Sequence, residues 1–332
     1  MNKIGWTALG TGLLLAGGAG LVAFGSSRWA SATRAQVALL DAARLPAPAG
    51  QNKLYDAREL DGLPVPVQRY FRAVLKDGQP LIATATFELA GTINMSETAD
   101  NWKPFTSWQR AIVHRPGFLW NGSVTLFPGI SARVHDSYIA GVGRLHAALL
   151  GLFTVAEVEG GGEIARGELM RYFAEMAWYP TALLPSQGVH WEAVDDRSAN
   201  ATLVDGPVSL TLLFGFDEAG LITSVHADER GSGVGKDMVM LPWDCSLSNY
   251  ELRHGMLVPT PAKSPKAGSP ISSVTSSRWS MSSRHESPAN SMAGSRCAAT
   301  ELRRHEHQRA ANFPGCFAVG FGERNADREA AV

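Results

Sequence analysis

The segment VSLTLLFGF, residues 208–216, decides the fold. Val208, Leu210, Leu212, Phe214 and Phe216 recur at every second position, so in an extended chain they share one face. In an α-helix the same five would scatter around the circumference. Asp217-Glu218-Ala219-Gly220 follows directly with the composition of a hairpin turn, and the chain then extends again from Leu221 to Asp228. Before it, Val189–Val194 and Ala199–Asp205 read as two more strands. Strands joined by turns this short pair antiparallel, and a sheet with one apolar face needs a cover.

A similar meander stands upstream. From Ile82 to Asn94 the residues alternate with period two, and Trp108–His114, Phe118–Leu126 and Ile130–Ala140 continue the pattern. Arg115-Pro116-Gly117 and Phe127-Pro128-Gly129 mark the turns between them. Two helices supply the cover. Pro64 and Pro66 open a short amphipathic one with Val67, Tyr70, Phe71, Val74 and Leu75 on one side, and Gly78 closes it. The longer runs from Glu163 to Trp178 and ends before Pro180. The expected fold is α+β: a curved antiparallel sheet, a partial barrel, covered by a few helices, its concave face either filled or hollow.

The amino terminus differs. Ile4–Gly25 carries no charge, and 22 residues of helix reach about 33 Å, enough for a bilayer core. Leu13, Leu14, Leu15, Leu21, Val22 and Phe24 spread around every face, so the sequence predicts a transmembrane anchor. The competing reading is a cleaved signal peptide with Lys3 as its basic start and Ala30-Ser31-Ala32 as its cleavage site. Either exports residues 35 onward, so the folded body is expected in the cell envelope or periplasm.

The chain has 332 residues, 45% apolar and 18% charged, with a formal net charge of -1. The first 32 residues contribute roughly +2 and residues 262–332 roughly +4, leaving about -7 for the middle. An acidic body repels phosphate backbones, so no nucleic-acid partner is expected. Three scattered cysteines suit neither a disulfide scaffold nor a structural zinc site. Beyond about residue 262, serine reaches roughly a third of residues 262–296 and periodicity stops, the composition of disordered chain. The expected division is therefore anchor or signal 1–32, linker 33–59, sheet domain 60–261 and tail 262–332.

Motifs for chemistry are few. Gly231-Ser232-Gly233-Val234-Gly235-Lys236 resembles a phosphate loop but is one residue short, and Asp237 stands where Ser or Thr would hold magnesium. It reads as a turn between strands. His305, His307, Cys297 and Cys316 lack metal-ligand spacing, so neither metal nor cofactor is expected.

The candidate site gathers around the long helix. Glu168, Arg171 and Glu175, three and four apart, lie along one face, with Tyr172 and Trp178 nearby. Such a trio performs acid-base work in a cleft or forms a structural ion pair. Asp136 shares a strand face with Ile130, Ala132, Val134 and Tyr138; if that face is the core, the carboxylate needs a partner, and Arg171 is the candidate. His135 would then face solvent. Trp120, Tyr138 and Phe214, with further aromatics such as Trp102, Trp108, Trp191 and Trp243, either line an apolar cavity or fill the core. The predicted ligand-binding set is Trp120, Asp136, Tyr138, Glu168, Arg171, Tyr172, Glu175, Trp178 and Phe214, with no catalytic residue assigned.

WKPF (102–105), PGFLW (116–120), DSY (136–138), GELMRY (167–172), WYPTALLP (178–185) and PW (242–243) together resemble a bacterial family of uncharacterised envelope proteins over roughly residues 60–260. The family has no assigned activity, so the resemblance implies no catalytic residues. By strand order alone the chain is also similar to curved-sheet carriers of periplasmic lipoproteins, a fold-level analogy. The tail departs from the family, which continues in further strands, as if a reading-frame change near residue 262 had left a sheet edge unpaired. The expected function is extracytoplasmic binding or carriage of a lipid or other apolar or amphipathic ligand. The alternatives are an enzyme using the carboxylate–arginine cluster and a structural envelope protein with a filled core.

Overall fold

The computed structural model describes residues 3–47, 50, 52–95, 101–232, 238–260 and 271–283, without the side chains of 3–11, 14, 15, 94, 232 and 271–279. Helix α1, Lys3–Ala43, is one unbroken rod of 41 residues, about 60 Å long. From Ser26 to Ala43 it contains neither Gly nor Pro and is rich in alanine, the strongest helix former. A 3₁₀ turn, Ala57–Leu60, and helix α2, Val65–Val74, come next. Pro66 lies in the first turn of α2, where its missing N–H costs no hydrogen bond.

Six strands form a continuous meander: β1 Thr84–Asn94, β2 Trp102–Ile112, β3 Gly117–Phe127, β4 Ile130–Ile139, β5 Val142–Leu149 and β6 Phe153–Gly160. Helix α3, Gly162–Glu175, follows, then three short 3₁₀ turns that end at Gln187. A second meander comprises β7 His190–Asp195, β8 Ser198–Asp205, β9 Val208–Phe216, β10 Ile222–Ser232 and β11 Val239–Ser246. The hairpin β12 Tyr250–Arg253 and β13 Met256–Pro259 and the strand β14 Ile271–Ser282 complete the described chain.

The strands assemble into a seven-stranded sheet, ordered β14-β1-β2-β3-β4-β5-β6, and a five-stranded sheet, ordered β11-β10-β9-β8-β7. All pairings are antiparallel and neither sheet closes. The α+β architecture expected from the alternating segments is present. Helix α3 sits between the sheets, touching β3 to β6 of one and β9 and β10 of the other. Ten of its residues, from Ala165 to Glu175, are buried, as befits a helix covered on all sides.

The WYPTALLP segment has a physical reason for its composition. Ile82 N donates to Thr181 Oγ1 at 3.0 Å, and Trp191 Nε1 donates to the Leu183 carbonyl at 3.0 Å. Its 3₁₀ turns thus tie the end of α3 to the entry of β1 and to β7.

Three expectations need correction. The helix does not end at residue 32: Trp29, Thr33 and Leu40 are all buried on the outer face of the larger sheet, so the stretch read as the start of a linker is a docked helix. Nor does His135 face solvent. It does point away from the core, but α1 covers that side, with the Trp29 ring stacked on the imidazole at 4.0 Å and Thr33 Oγ1 bonded to its Nε2 at 2.8 Å. Finally, the expectation of an unstructured tail does not hold for β14, which pairs along β1 with Phe87 opposite Trp279 and Ala85 opposite Met281, so β1 is not an open edge. Residues 284–332, including His305, His307, Cys297 and Cys316, and loop residues 233–237 lie outside the described residues.

Among the described residues no helix is long and apolar enough to cross a membrane. Where side chains of the first half of α1 are described, they are bare: Leu13 is 67% and Phe24 63% exposed, and a Cβ placed on Gly12, Gly17, Gly18 or Gly20 would meet no described atom within 4 Å.

Candidate functional site

Arg171 is the hub of a polar cluster enclosed between α3 and the larger sheet. Strand parity points Asp136 inward beside Val134 and Tyr138, and the helical repeat places Glu175 one turn beyond Arg171. Arg171 Nη1 donates to Asp136 Oδ2, its Nε to Glu175 Oε1 at 2.9 Å, and its Nη2 to Gln109 Oε1 at 3.0 Å. Gln109 Nε2 then donates to Glu175 Oε2 at 2.6 Å, closing the ring. The guanidinium also stands 4.7 Å from the Phe118 ring centroid and 5.7 Å from that of Trp120, close enough for a cation–π contribution.

Glu168, one turn before Arg171, completes the cluster. It is fully buried, and neither carboxyl oxygen accepts a hydrogen bond from a described N–H or hydroxyl donor. Beside it lies Asp136. Burial raises the Glu168 pKa well above the ordinary carboxylate value, the Asp136 charge raises it further, and Arg230 and Arg171 oppose this only in part. Burial and the neighbouring Asp136 thus favour the protonated form of the Glu168 carboxyl. Arg171 is the cation paired with both Asp136 and Glu175, and Arg230 adds a second positive charge near Glu168. Arg230, also buried, is 5.2 Å from the Trp243 ring centroid.

The predicted residues do not converge on one opening. Trp120, Asp136, Glu168, Arg171 and Glu175 meet in the cluster. Tyr138 turns to the far side, where its hydroxyl donates to Asp205 at 2.7 Å, with Arg115 3.6 Å from that carboxylate. Tyr172 donates to the Ile112 carbonyl at 2.8 Å, and burial raises its pKa, with the neighbouring Tyr179 opposing. Trp178 packs edge-on against Phe87 at 5.3 Å, and Phe214 meets Trp191 at 5.1 Å beneath the smaller sheet.

Trp120, Tyr138, Tyr172 and Phe214 all belong to one continuous apolar core. Among the described residues, one open groove of about 520 Å³ lies on the outer face, beside Trp108, Asn121 and Arg133, and another of about 660 Å³ borders Asn52–Asp56. Neither contains any of the nine predicted residues. No three or more His, Cys, Asp or Glu side chains among the described residues are placed to hold a metal.

Sequence reasoning missed Gln109 and Arg230. Gln109 was legible in principle, since it stands opposite Trp120 on the parity of core residues Phe105 and Ala111. Arg230 was not, because a bulge between Ala227 and Arg230 breaks the alternation. The cluster under α1 was missed too: Trp29 Nε1 donates to Asn121 Oδ1 at 2.9 Å, and the same indole lies 5.3 Å from His146. Burial, then the charges of His146 and Arg144, push the His135 pKa down to about 3, so the imidazole is neutral.

Fold and site together define a class: two open antiparallel sheets enclosing a helix that carries a buried carboxylate–arginine network. The chain belongs to a family of unknown function (DUF6920), whose model matches residues 61–265. The match bears out the expected resemblance to an uncharacterised family, and β14 lies beyond its end. No curated protein and no solved structure matches the chain.

Proposed function

We propose that this chain is a membrane-tethered structural domain of the cell envelope. It acts through its rigid folded body rather than by catalysis or by carrying a guest. The observation that carries this reading is the division of α1: the part beyond Gly25 is clamped to the sheet, whereas the described side chains between Gly12 and Phe24 are bare, in a run that carries no charge from Ile4 to Gly25. An isolated helix with Leu13 and Phe24 in water is unfavourable; burying such side chains in lipid stabilises each by about 1.5–3 kcal/mol. Lys3 ahead of the apolar run supports an extracytoplasmic folded body. Retention of the helix is favoured over cleavage at Ala30-Ser31-Ala32, because cleavage would strip Trp29 from His135.

The carrier and enzyme readings each need an opening to the concavity. The packing of Trp120, Tyr138 and Phe214 against α3 and its neighbours weighs against both. Buried charges can instead fix which way a helix sits, since a misplaced α3 would leave Arg171 unpaired.

Alkaline carbonate extraction of membranes from cells expressing the full chain tests the tether. The chain is expected to sediment with the membranes, and a variant with Leu13, Leu14 and Leu15 changed to Asp to appear in the supernatant. Release of the unaltered chain would refute the reading.

A further inference from the structure

We infer that one end of the larger sheet is itself a bilayer-contacting rim, so that the domain sits on the lipid surface in a fixed orientation rather than hanging from its helix. This rests on the tether reading and extends it to a second surface.

Helix α1 leaves the sheet at a definite place. Gly25 packs against the β5–β6 turn so closely that a Cβ there would lie 2.1 Å from the Leu150 carbonyl oxygen, and a Cβ on Gly151 would lie 2.8 Å from the Gly25 carbonyl oxygen. At its other end the helix reaches β2 and β3, where Leu40 packs with Ile112 and Leu119. The bare half of α1 therefore departs from the end of the sheet that carries the β5–β6 turn. In an antiparallel meander the β3–β4 turn lies at that same end, and the two turns are joined by a hydrogen bond from Leu150 N to the Ser131 carbonyl, 2.9 Å.

These turns expose apolar side chains. Phe127 is 64%, Phe153 58% and Ile130 42% exposed. Lys103 holds its ammonium 5.8 Å from the Phe127 ring centroid, and Arg28, exposed on α1, follows Gly25 by three residues. Aromatic rings at the departure level of an apolar helix, flanked by cations, match the interfacial zone of a bilayer, where rings lie among headgroups and Lys and Arg reach phosphates. At the opposite end, the turns around His114-Arg115-Pro116 and Ala140-Gly141 expose no aromatic side chain among the described residues.

The test reconstitutes the full chain in vesicles of phosphatidylethanolamine and phosphatidylglycerol doped with a diazirine-tailed phospholipid, followed by illumination and mapping of adducts by mass spectrometry. Adducts are expected on the first half of α1 and on residues 127–130 and 152–153. Labelling at 114–116 and 140–141 is expected to be at least tenfold weaker. In Phe127→Ser/Phe153→Ser the turn adducts should fall several-fold while helix adducts persist. Adducts on the helix alone, or equal labelling of both ends, would overturn the rim and leave the tether standing. Adducts on neither helix nor turns would overturn the tether and the rim with it.

Discussion

The Arg171 guanidinium on α3 is paired with the Asp136 carboxylate on β4, and both are buried from solvent. A single contact thereby joins the enclosed helix to the fourth strand of the larger sheet. Removing one partner strands the other as an uncompensated charge, which costs about 3–5 kcal/mol. Arg171→Met is expected to lower the urea midpoint accordingly. Arg171→Met combined with Asp136→Asn should be less destabilised than the sum of the two single changes, because no lone charge remains. Strict additivity in the double-mutant cycle would contradict the pairing.

Glu168 gives the fold a pH dependence. Its folded pKa is raised, whereas the unfolded side chain releases its proton near the ordinary value of about 4.3. The stabilisation it provides is therefore complete below that value and declines as pH rises through it toward the folded pKa. Glu168→Gln keeps the shape and removes the titration. The unaltered chain should lose more stability than the variant between pH 5 and pH 8; equal losses would place the proton elsewhere.

His135 acts in the opposite direction. With a folded pKa of about 3 against 6.5 in the free side chain, its contribution is complete above 6.5 and is lost as pH falls toward 3. The neighbouring His146 is also lowered by burial, with Glu157 opposing. Acidification from pH 7 to pH 4 should loosen residues 26–43 from the sheet, read as faster amide exchange there. His135→Gln should blunt that response.

Thr181→Val should cost about 1–3 kcal/mol, because the Ile82 amide then lies buried without an acceptor. Thr181→Ser, which retains the hydroxyl, should recover most of that loss in thermal unfolding. If the serine and valine variants unfold alike, the hydrogen bond is not what the WYPTALLP segment contributes.

Leu40→Ala should cost about 2–5 kcal/mol by opening a cavity against Ile112 and Leu119. The accompanying sign is increased exchange of α1 amides while β7–β9 stay protected. An unchanged α1 would mean that the helix is held by the Trp29 end alone.

The strands of both meanders were legible wherever alternation was clean, as in 208–216 and 118–126. β5 was not. In VGRLHAAL, Leu145 and Ala147 face the core while His146 lies beneath Trp29 and Ala148 is also buried, so both faces are covered and the period-two signal disappears. The Asp136–Arg171 pair was readable because a carboxylate on a core parity demands a cation, and the helical spacing named Glu175 as the second partner. What the sequence did not reveal was the depth to which α3 enters the concavity. That depth turns expected cavity walls into a packed core, and it depends on two sheets that lie far apart along the chain. The docking of α1 was hidden for a different reason: Trp29, Thr33 and Leu40 are too sparse to form an apolar stripe.

The central claim is that α1 is a single rod joining lipid to sheet, and hydrogen exchange of the full chain in phospholipid vesicles tests it most directly. The account predicts slow exchange for amides from about residue 7 to residue 43, without a break at 26–32. Fast exchange at 26–32, or throughout 7–24, would contradict it.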